Sequence, residues 1–210
     1  MIFVSADILV SFFLASILLG LIPGPDNIFV LLQSVMHGRK SGLWVVLGLC
    51  TGLLFHTSLV ALGIAVIFQT SIWAFNALKV FGALYLLYLA WQSFKAGSEK
   101  MEGENSPKLT AHQLYKRGII MNVSNPKVAI FFLAFLPQFT QPQLGGLAWQ
   151  LLLLGGIFIM ATLLVFSCIA FMAGYLSQVL KSSEFAQALL HKSAGLVFLL
   201  LALKLAFTSF

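Results

Sequence analysis

Charged residues are scarce in this sequence, since Asp, Glu, Lys and Arg make up 9% of its 210 residues while 60% are hydrophobic. Soluble domains carry charge on roughly a quarter of their residues, so the composition excludes an ordinary soluble enzyme or binding domain. The formal net charge of +6 does not indicate nucleic-acid binding, because the basic residues lie in connections between apolar runs. We expect an all-α integral protein of the lipid bilayer.

Other features are missing too. Cys50 and Cys168 both lie inside apolar runs, which argues against a disulfide framework. Residues 1–7 contain no Lys or Arg, so we expect no cleaved signal peptide, and the first span should be retained. The sequence has no His-Glu-x-x-His motif, no Gly-x-Ser-x-Gly motif, no phosphate loop and no Cys/His cluster. We therefore expect no enzyme, no cofactor and no metal site.

Long apolar runs are abundant instead. Six of them reach the length of about 20 residues that a transmembrane helix needs; they lie near residues 5–36, 42–68, 72–94, 116–137, 147–177 and 188–208. The polar residues 97–107 predict a flexible, aqueous linker. The chain is interpreted as a single transmembrane domain over residues 1–210, with a first repeat (1–95), a cytoplasmic linker (96–110) and a second repeat (111–210).

The basic residues between these runs predict the orientation. The second and fourth connections, residues 69–76 and 138–146, contain no charged residue. The odd-numbered connections contain Arg39, Lys40, Lys95, Lys100, Lys108, Lys116, Arg117, Lys181 and Lys192. Because cytoplasmic loops are enriched in Lys and Arg, we predict a multi-pass protein with cytoplasmic odd connections and both termini outside.

Prolines interrupt the first and fourth runs. Pro23 and Pro25 cannot both lie in an unbroken helix, because proline lacks an N–H and its ring clashes with the preceding turn. A helix should restart at Pro25, and another at Pro126 with Asn125 as its N-cap. Irregular backbone at membrane depth persists only where it faces protein or a watery cavity, so both breaks are expected in the protein interior.

Each predicted restart carries a charged residue, and ionisable groups at membrane depth are functional candidates. The carboxylate of Asp26 suits a helix N-terminus, whereas the cation of Lys127 opposes the helix dipole, which makes sense if an anion completes the site. One interpretation is a structural ion pair. The other is a zwitterion site, in which Asp26 binds an ammonium group while Lys127 and helix N–H groups bind a carboxylate. The predicted substrate-binding residues are Pro23, Gly24, Pro25, Asp26, Asn27, Asn125, Pro126 and Lys127.

Proton coupling has three candidates, Asp26, Lys127 and His56. His56 lies in the middle of the second run, and imidazole titrates near physiological pH. A lone histidine in a helix is more often a packing residue, and we favour that interpretation for His56.

The two halves of the chain resemble each other. Pro25-Asp26-Asn27 matches Pro126-Lys127-Val128, and the Lys79 and Gly82 pair in the third run matches Lys192 and Gly195 in the sixth. With three spans per half, the second half would enter the membrane from the opposite side. The predicted fold is therefore six transmembrane helices in two inverted three-helix repeats, with the first and fourth helices broken at proline. Such repeats are typical of transporters that bind substrate near the midplane.

Taken together, these motifs resemble the LysE/RhtB family of bacterial amino-acid exporters, of the threonine/homoserine efflux type. The resemblance covers nearly the whole chain and rests on residues 23–27, 82–89, 125–127 and 135–139. It implies export of amino acids or close derivatives from the cytoplasm across the bacterial inner membrane, driven by proton antiport. The motifs do not distinguish among the substrates of the family.

Several functions stay open at this point. We favour export of small neutral amino acids, because few intramembrane acids remain to bind a second cationic group. The alternatives are export of basic amino acids or another small zwitterionic metabolite, and a passive channel or membrane scaffold. A membrane enzyme would need a catalytic pair, and Asp26, His56 and Lys127 are nearly all the ionisable residues of the spans. A homo-oligomer stays open.

Overall fold

The computed structural model describes residues 4–70, 72–96 and 108–207, and the elements within these ranges are all helical. The predicted linker, residues 97–107, lies outside the described residues. The first half contains the helices α1 (Ala6–Leu21), α2 (Pro25–His37), α3 (Arg39–Thr70) and α4 (Ile72–Lys95). Gly38 adopts a φ of 85° between α2 and α3, a conformation that glycine tolerates at no steric cost.

The second half begins with a broken helix. It contains α5 (Ala111–Val123), α6 (Pro126–Ile130), a π-helical turn (Phe131–Phe135), two 3₁₀ turns (Leu136–Phe139 and Pro142–Leu144), α7 (Leu147–Phe171), α8 (Ala173–Ser182) and α9 (Glu184–Phe207). The π and first 3₁₀ turns continue directly from α6, so the chain stays helical from Pro126 to Phe139 with changing hydrogen-bond patterns. Within the described ranges, this half therefore repeats the order of a broken helix followed by long helices.

The predicted proline breaks are confirmed. α1 and α2 meet at an angle of 63°, and α5 meets the helical stretch Pro126–Phe139 at 50°. Of the described helices, four are long and apolar enough to cross a membrane, and the number rises to six if each bent pair is one span. The chain is thus an all-α protein with the helices of a multi-pass membrane protein.

Some predicted boundaries were wrong. The fifth run was expected to continue to residue 177, but α7 ends at Phe171 and α8 begins at Ala173. The fourth run was expected to begin at residue 116. Its helix begins five residues earlier, at Ala111, because Thr110 and Gln113 form a capping box, which satisfies N-terminal N–H groups and so fixes the start of a helix.

The helix α3 lies at the centre of the packing. It packs against α5 and α7, while α1 packs against α7 and α4 packs against α9. Glycines allow these close approaches: a Cβ on Gly48 of α3 would overlap the carbonyl oxygen of Tyr115 in α5, and one on Gly155 of α7 would overlap Thr57 in α3. Small residues at such contacts let membrane helices approach closely.

Six buried phenylalanines form one layer of the core, which we call the phenylalanine cluster. Neighbouring ring centroids lie between 4.9 and 6.3 Å apart, and the members are Phe12, Phe131, Phe132, Phe135, Phe139 and Phe158. Each side chain is at most 4% exposed. The cluster joins the first half of α1, the π-helical turn, the first 3₁₀ turn and the middle of α7.

Candidate functional site

The break after α1 exposes backbone carbonyls that side chains from both halves of the chain satisfy. The amide of Asn27 donates to the carbonyl oxygen of Gly20 at 2.7 Å, and the Lys127 ammonium donates to that of Ile22 at 3.3 Å. The last carbonyls of a helix have no partner within the helix, and the interior of a membrane supplies no water to satisfy them. Asn27 and Lys127 therefore stabilise the interrupted end of α1.

This contact corrects part of the interpretation of Lys127. From the sequence alone, the cation in the first turn of α6 was explained by an anion that completes the site. In the structure the Lys127 ammonium also lies at the carboxyl end of α1, where a positive charge is favourable. The ammonium has three N–H donors, and one of them bonds this carbonyl. Lys127 can therefore stabilise the break and still donate to an anion.

Asn125 connects the two breaks. Its side-chain oxygen accepts from the backbone N–H of Lys127 at 3.0 Å, which confirms the predicted N-cap. Its side-chain nitrogen donates to Oδ2 of Asp26 at 2.9 Å. A single buried amide thus caps α6 and fixes the carboxylate of α2, so the two broken helices are joined by a hydrogen bond to a charged group.

Asp26 and Lys127 face the same cavity. It has about 350 Å³ of empty space, including its open part, and is lined by Leu19, Gly20, Asp26, Leu49, Leu53, Asn122, Lys127, Val128, Phe158, Thr162 and Phe166. Each of the two charged groups has another hydrogen-bond partner, Asn125 or Ile22. Oδ1 of Asp26 is buried with no hydrogen-bond partner in the protein. The cavity thus combines an acceptor, a cation and mostly apolar walls.

Not every residue predicted for the site lines this cavity. Asn27 and Asn125 act behind it by holding Gly20 and Asp26. Pro25 and Pro126 occupy the first positions of α2 and α6, as predicted, and Pro23 lies in the break itself.

Gly24 lies against the cation of the site. A Cβ at this position would lie 3.2 Å from the Lys127 nitrogen, so the lysine side chain would have to move by a few tenths of an ångström. A side chain at position 24 would therefore crowd the ammonium that bonds Ile22.

His56 lies next to the cavity but is not among the residues that line it. Its Nε2 donates to the carbonyl oxygen of Asn122 at 3.2 Å, and its ring lies 5.6 Å from that of Phe132. The side chain is 4% exposed. Through these contacts His56 ties α3 to the end of α5.

Sequence reasoning missed Asn122 and Thr162. Both are buried, at 2% and 5% exposure, and both line the cavity. The signal for Asn122 was available, since an amide in an apolar run three residues before a helix break is costly unless it has a partner. Thr162 carries no such signal, because threonine is common in membrane helices.

Among the described residues, no group of three or more His, Cys, Asp or Glu side chains could hold a metal ion. The polar groups of the cavity are one carboxylate, one ammonium, one amide and one hydroxyl. Such a set suits a small organic ion of both charges.

Comparison with known proteins places the chain among transporters. A family model described as LysE type translocator matches residues 17–209. A homoserine/homoserine lactone efflux protein of Salmonella typhimurium is 34% identical over 196 residues, which cover 93% of this chain and 94% of that protein. A leucine efflux protein of Enterobacter sp. is 28% identical over 190 residues, covering 89% of each.

A Bacillus subtilis membrane protein, YrhP, of uncharacterised function, is 31% identical over 186 residues, covering 84% of this chain and 88% of that protein. No solved structure matches the chain. The family match spans both proline breaks and both charged residues of the cavity. The chain therefore belongs to the LysE family of membrane translocators and is a transporter, not an enzyme.

Proposed function

We propose that the protein exports small neutral amino acids, or close derivatives, from the cytoplasm across the bacterial inner membrane in exchange for protons. One observation carries this proposal: Asp26 and Lys127, each on the first turn after a proline break, line the same cavity. A buried acid and a half-buried base, each bonded to another group of the protein, offer opposite charges to the two ends of a zwitterion.

The proposed mode of binding follows from the hydrogen-bond donors and acceptors of the cavity that the protein itself leaves unused. Oδ1 of Asp26 has no partner and accepts from the substrate ammonium. The Lys127 nitrogen, which donates one hydrogen to Ile22, donates another to the substrate carboxylate. Hydrogen bonds between charged groups are about twice as strong as neutral ones, so both ends contribute to affinity.

The names of the relatives support a dominant role for the ammonium end. Homoserine, its lactone and leucine appear in those names. All three compounds carry a primary ammonium group, but the lactone has no free carboxylate. A site serving such a set must rely on acceptors such as Asp26 more than on Lys127.

The walls of the cavity favour neutral substrates. Leucine, valine and phenylalanine side chains make up most of the lining, and Asp26 is the one acid among the lining residues. A basic amino acid would bring a second cation, and burying an unpaired charge is costly. Export of basic amino acids is therefore the weaker alternative.

We also propose six spans in two inverted repeats of three, with the odd connections cytoplasmic and both termini outside. The packing supports this arrangement. A two-fold axis that relates the halves would make α1 equivalent to α5 and α3 equivalent to α7. The contact between α3 and α5 would then correspond to the contact between α7 and α1, and both contacts are present. The contacts between α3 and α7, and between α4 and α9, would then lie on the axis itself.

For proton coupling we propose Asp26 and Lys127 as the exchanging groups. Both line the cavity, so a proton and a substrate would compete for the same charges there. His56 is a weaker candidate, because its Nε2 hydrogen is used by the Asn122 carbonyl.

Reconstituted flux tests the proposal. Liposomes that contain the purified protein are loaded with L-homoserine, L-threonine or L-leucine. Efflux of the amino acid is followed with and without an imposed pH gradient. We expect accelerated efflux with the gradient and uphill movement of at least one amino acid. Flux that only follows the substrate gradient would indicate a channel, and no flux for any compound at verified reconstitution would indicate a scaffold.

A further inference from the structure

We propose that Thr162 is a specificity-determining residue whose hydroxyl group binds a hydroxyl group on the side chain of the substrate. This inference rests on the proposed function, since it assigns a role within the same cavity. It concerns the side-chain end of the substrate, to which the roles of Asp26 and Lys127 assign no partner.

Thr162 lies in a stripe of α7 that faces the cavity. Phe158, Thr162 and Phe166 follow one another at intervals of four residues, and all three line the cavity. Residues at this spacing lie above one another on the same face of a helix. Thr162 is the middle residue of the stripe and is 5% exposed, so its side chain lies between two rings that meet the same open space.

The hydroxyl of Thr162 is not used by its own helix. A threonine inside a helix can donate to the carbonyl four residues earlier, as Thr57 of α3 does to Leu53 at 2.7 Å. Among the described residues, no such bond joins Thr162 to Phe158. Its oxygen is also not one of the partnerless polar atoms that the protein encloses completely, whereas Oδ1 of Asn122 is. The Thr162 oxygen therefore keeps accessible surface, and on a residue of the cavity wall this surface lies toward the cavity.

The other groups of the cavity leave the substrate side chain to Thr162. In the proposed function, Asp26 binds the ammonium group and Lys127 binds the carboxylate. The side-chain oxygen of Asn122 lies against Gly52 of α3 and is enclosed there. Apart from Gly20, the remaining lining residues are apolar: Leu19, Leu49, Leu53, Val128, Phe158 and Phe166. Thr162 thus supplies the neutral side-chain oxygen that a substrate hydroxyl can reach from this cavity.

A hydroxyl group in this wall changes which substrate fits best. Burying a substrate hydroxyl in an apolar cavity is costly unless it is hydrogen-bonded, so an entirely apolar wall would favour a methyl group at the same place. The threonine hydroxyl can both donate and accept, which removes this cost. A site that bonds a substrate hydroxyl discriminates against the analogue without it, because the group in the site is then left unbonded. The affinity ratio of two ligands of equal shape therefore reports on Thr162.

Two pairs of amino acids of nearly equal shape test this assignment. L-homoserine is compared with L-norvaline, and L-threonine with L-valine, so that within each pair a hydroxyl group replaces a methyl group. Affinities for the detergent-solubilised protein follow from ligand-dependent thermal stability. In at least one pair, we expect wild-type protein to bind the hydroxylated member at least as tightly as the apolar one. No binding of any of the four compounds would overturn the proposed function and this inference with it.

Variants then isolate the hydroxyl group. Thr162→Val removes it and keeps the shape of the side chain. We expect the affinity ratio of the hydroxylated to the apolar member to fall roughly 2- to 12-fold, the contribution of one hydrogen bond, while the apolar member binds as before. Thr162→Ser keeps the hydroxyl group and should keep the wild-type ratio. The control Thr57→Val makes the same substitution at a buried hydroxyl that bonds within its own helix and lies outside the cavity lining, and should also keep this ratio.

Two results would overturn the inference while leaving the proposed function intact. One is a Thr162→Val protein that binds the members of each pair with the wild-type ratio. The other is wild-type protein that binds L-norvaline and L-valine more tightly than their hydroxylated counterparts. The second measurement needs no variant and so does not depend on the folding of Thr162→Val.

Discussion

Asp26→Asn removes the charge of the proposed ammonium partner with little change of shape. An asparagine at position 26 can still accept the 2.9 Å hydrogen bond that Asn125 donates. The connection between α2 and α6 therefore survives, and the helix break is retained because Pro25 is unchanged. We expect folded, inserted protein with impaired export.

The size of the defect follows from the bond that is lost. Hydrogen bonds to charged groups contribute about 1.5–3 kcal/mol, and the substrate loses such a bond when Oδ1 of Asp26 becomes neutral. At about 1.4 kcal/mol per tenfold change, the apparent KM for export should rise roughly 10- to 150-fold. Folding stability should change much less, since the Asn125 bond becomes neutral but is not broken.

The assay is efflux from liposomes at matched reconstitution, with substrate varied to separate KM from the maximal rate. Asp7→Asn is the matched control, because it is the same substitution at an exposed residue of α1. This variant should transport like wild type. An unchanged KM in Asp26→Asn would refute the role of Asp26 in binding.

The double variant Asp26→Asn, Lys127→Met separates binding from a structural role. If the two charges only stabilised each other, removing both should restore much of what either change alone loses, because breaking one partner strands the other. If they bind the two ends of a substrate, the double variant should fold and remain inactive. Export near the wild-type level by the double variant would show that the pair merely joins the halves.

Three further outcomes are expected. Cysteines introduced into residues 97–107 should react with an impermeant reagent only from the cytoplasmic side, and labelling of intact cells from outside would contradict both the orientation and the inverted repeat. Pro25→Ala and Pro126→Ala should each restore helical continuity and slow transport in folded protein, so unchanged kinetics in both would mean that the breaks do not form the site. Gly48→Ala should lower stability by about 1–3 kcal/mol through overpacking against α5, as measured from melting curves in detergent. The control Gly63→Ala, with nothing within 4 Å of the added Cβ, should not lower stability. Equal melting temperatures of the two variants would contradict the close packing of α3 on α5.

The breaks were predictable because their cause is local. Proline cannot donate a backbone hydrogen bond, and asparagine caps a helix wherever it precedes one, so Pro25, Pro126 and Asn125 could be assigned without a structure. The angles of 63° and 50° could not, because they depend on the helices packed around each break.

Partners distant in the chain were beyond sequence reasoning. The Lys127 bond to the Ile22 carbonyl and the Asn125 bond to Asp26 join residues about a hundred positions apart, and no spacing rule predicts them. Gln150 was missed although its partners are near in the chain. It is fully buried and bonds the backbone of Gln141 and Gly145, whereas in the sequence it resembles an ordinary boundary residue of a span.

The phenylalanine cluster bears on how the protein avoids leaking. Its six contacting rings are at most 4% exposed, and packed apolar side chains offer water and ions no hydrogen-bond partners. A cell that stores energy as an ion gradient loses it through any carrier that stays wet from one face to the other. Phe158 of the cluster lines the same cavity as Asp26, so we expect the rings to hinder protons that reach Asp26 from moving further. The packing that orders the core would then also limit leakage while no substrate is moving.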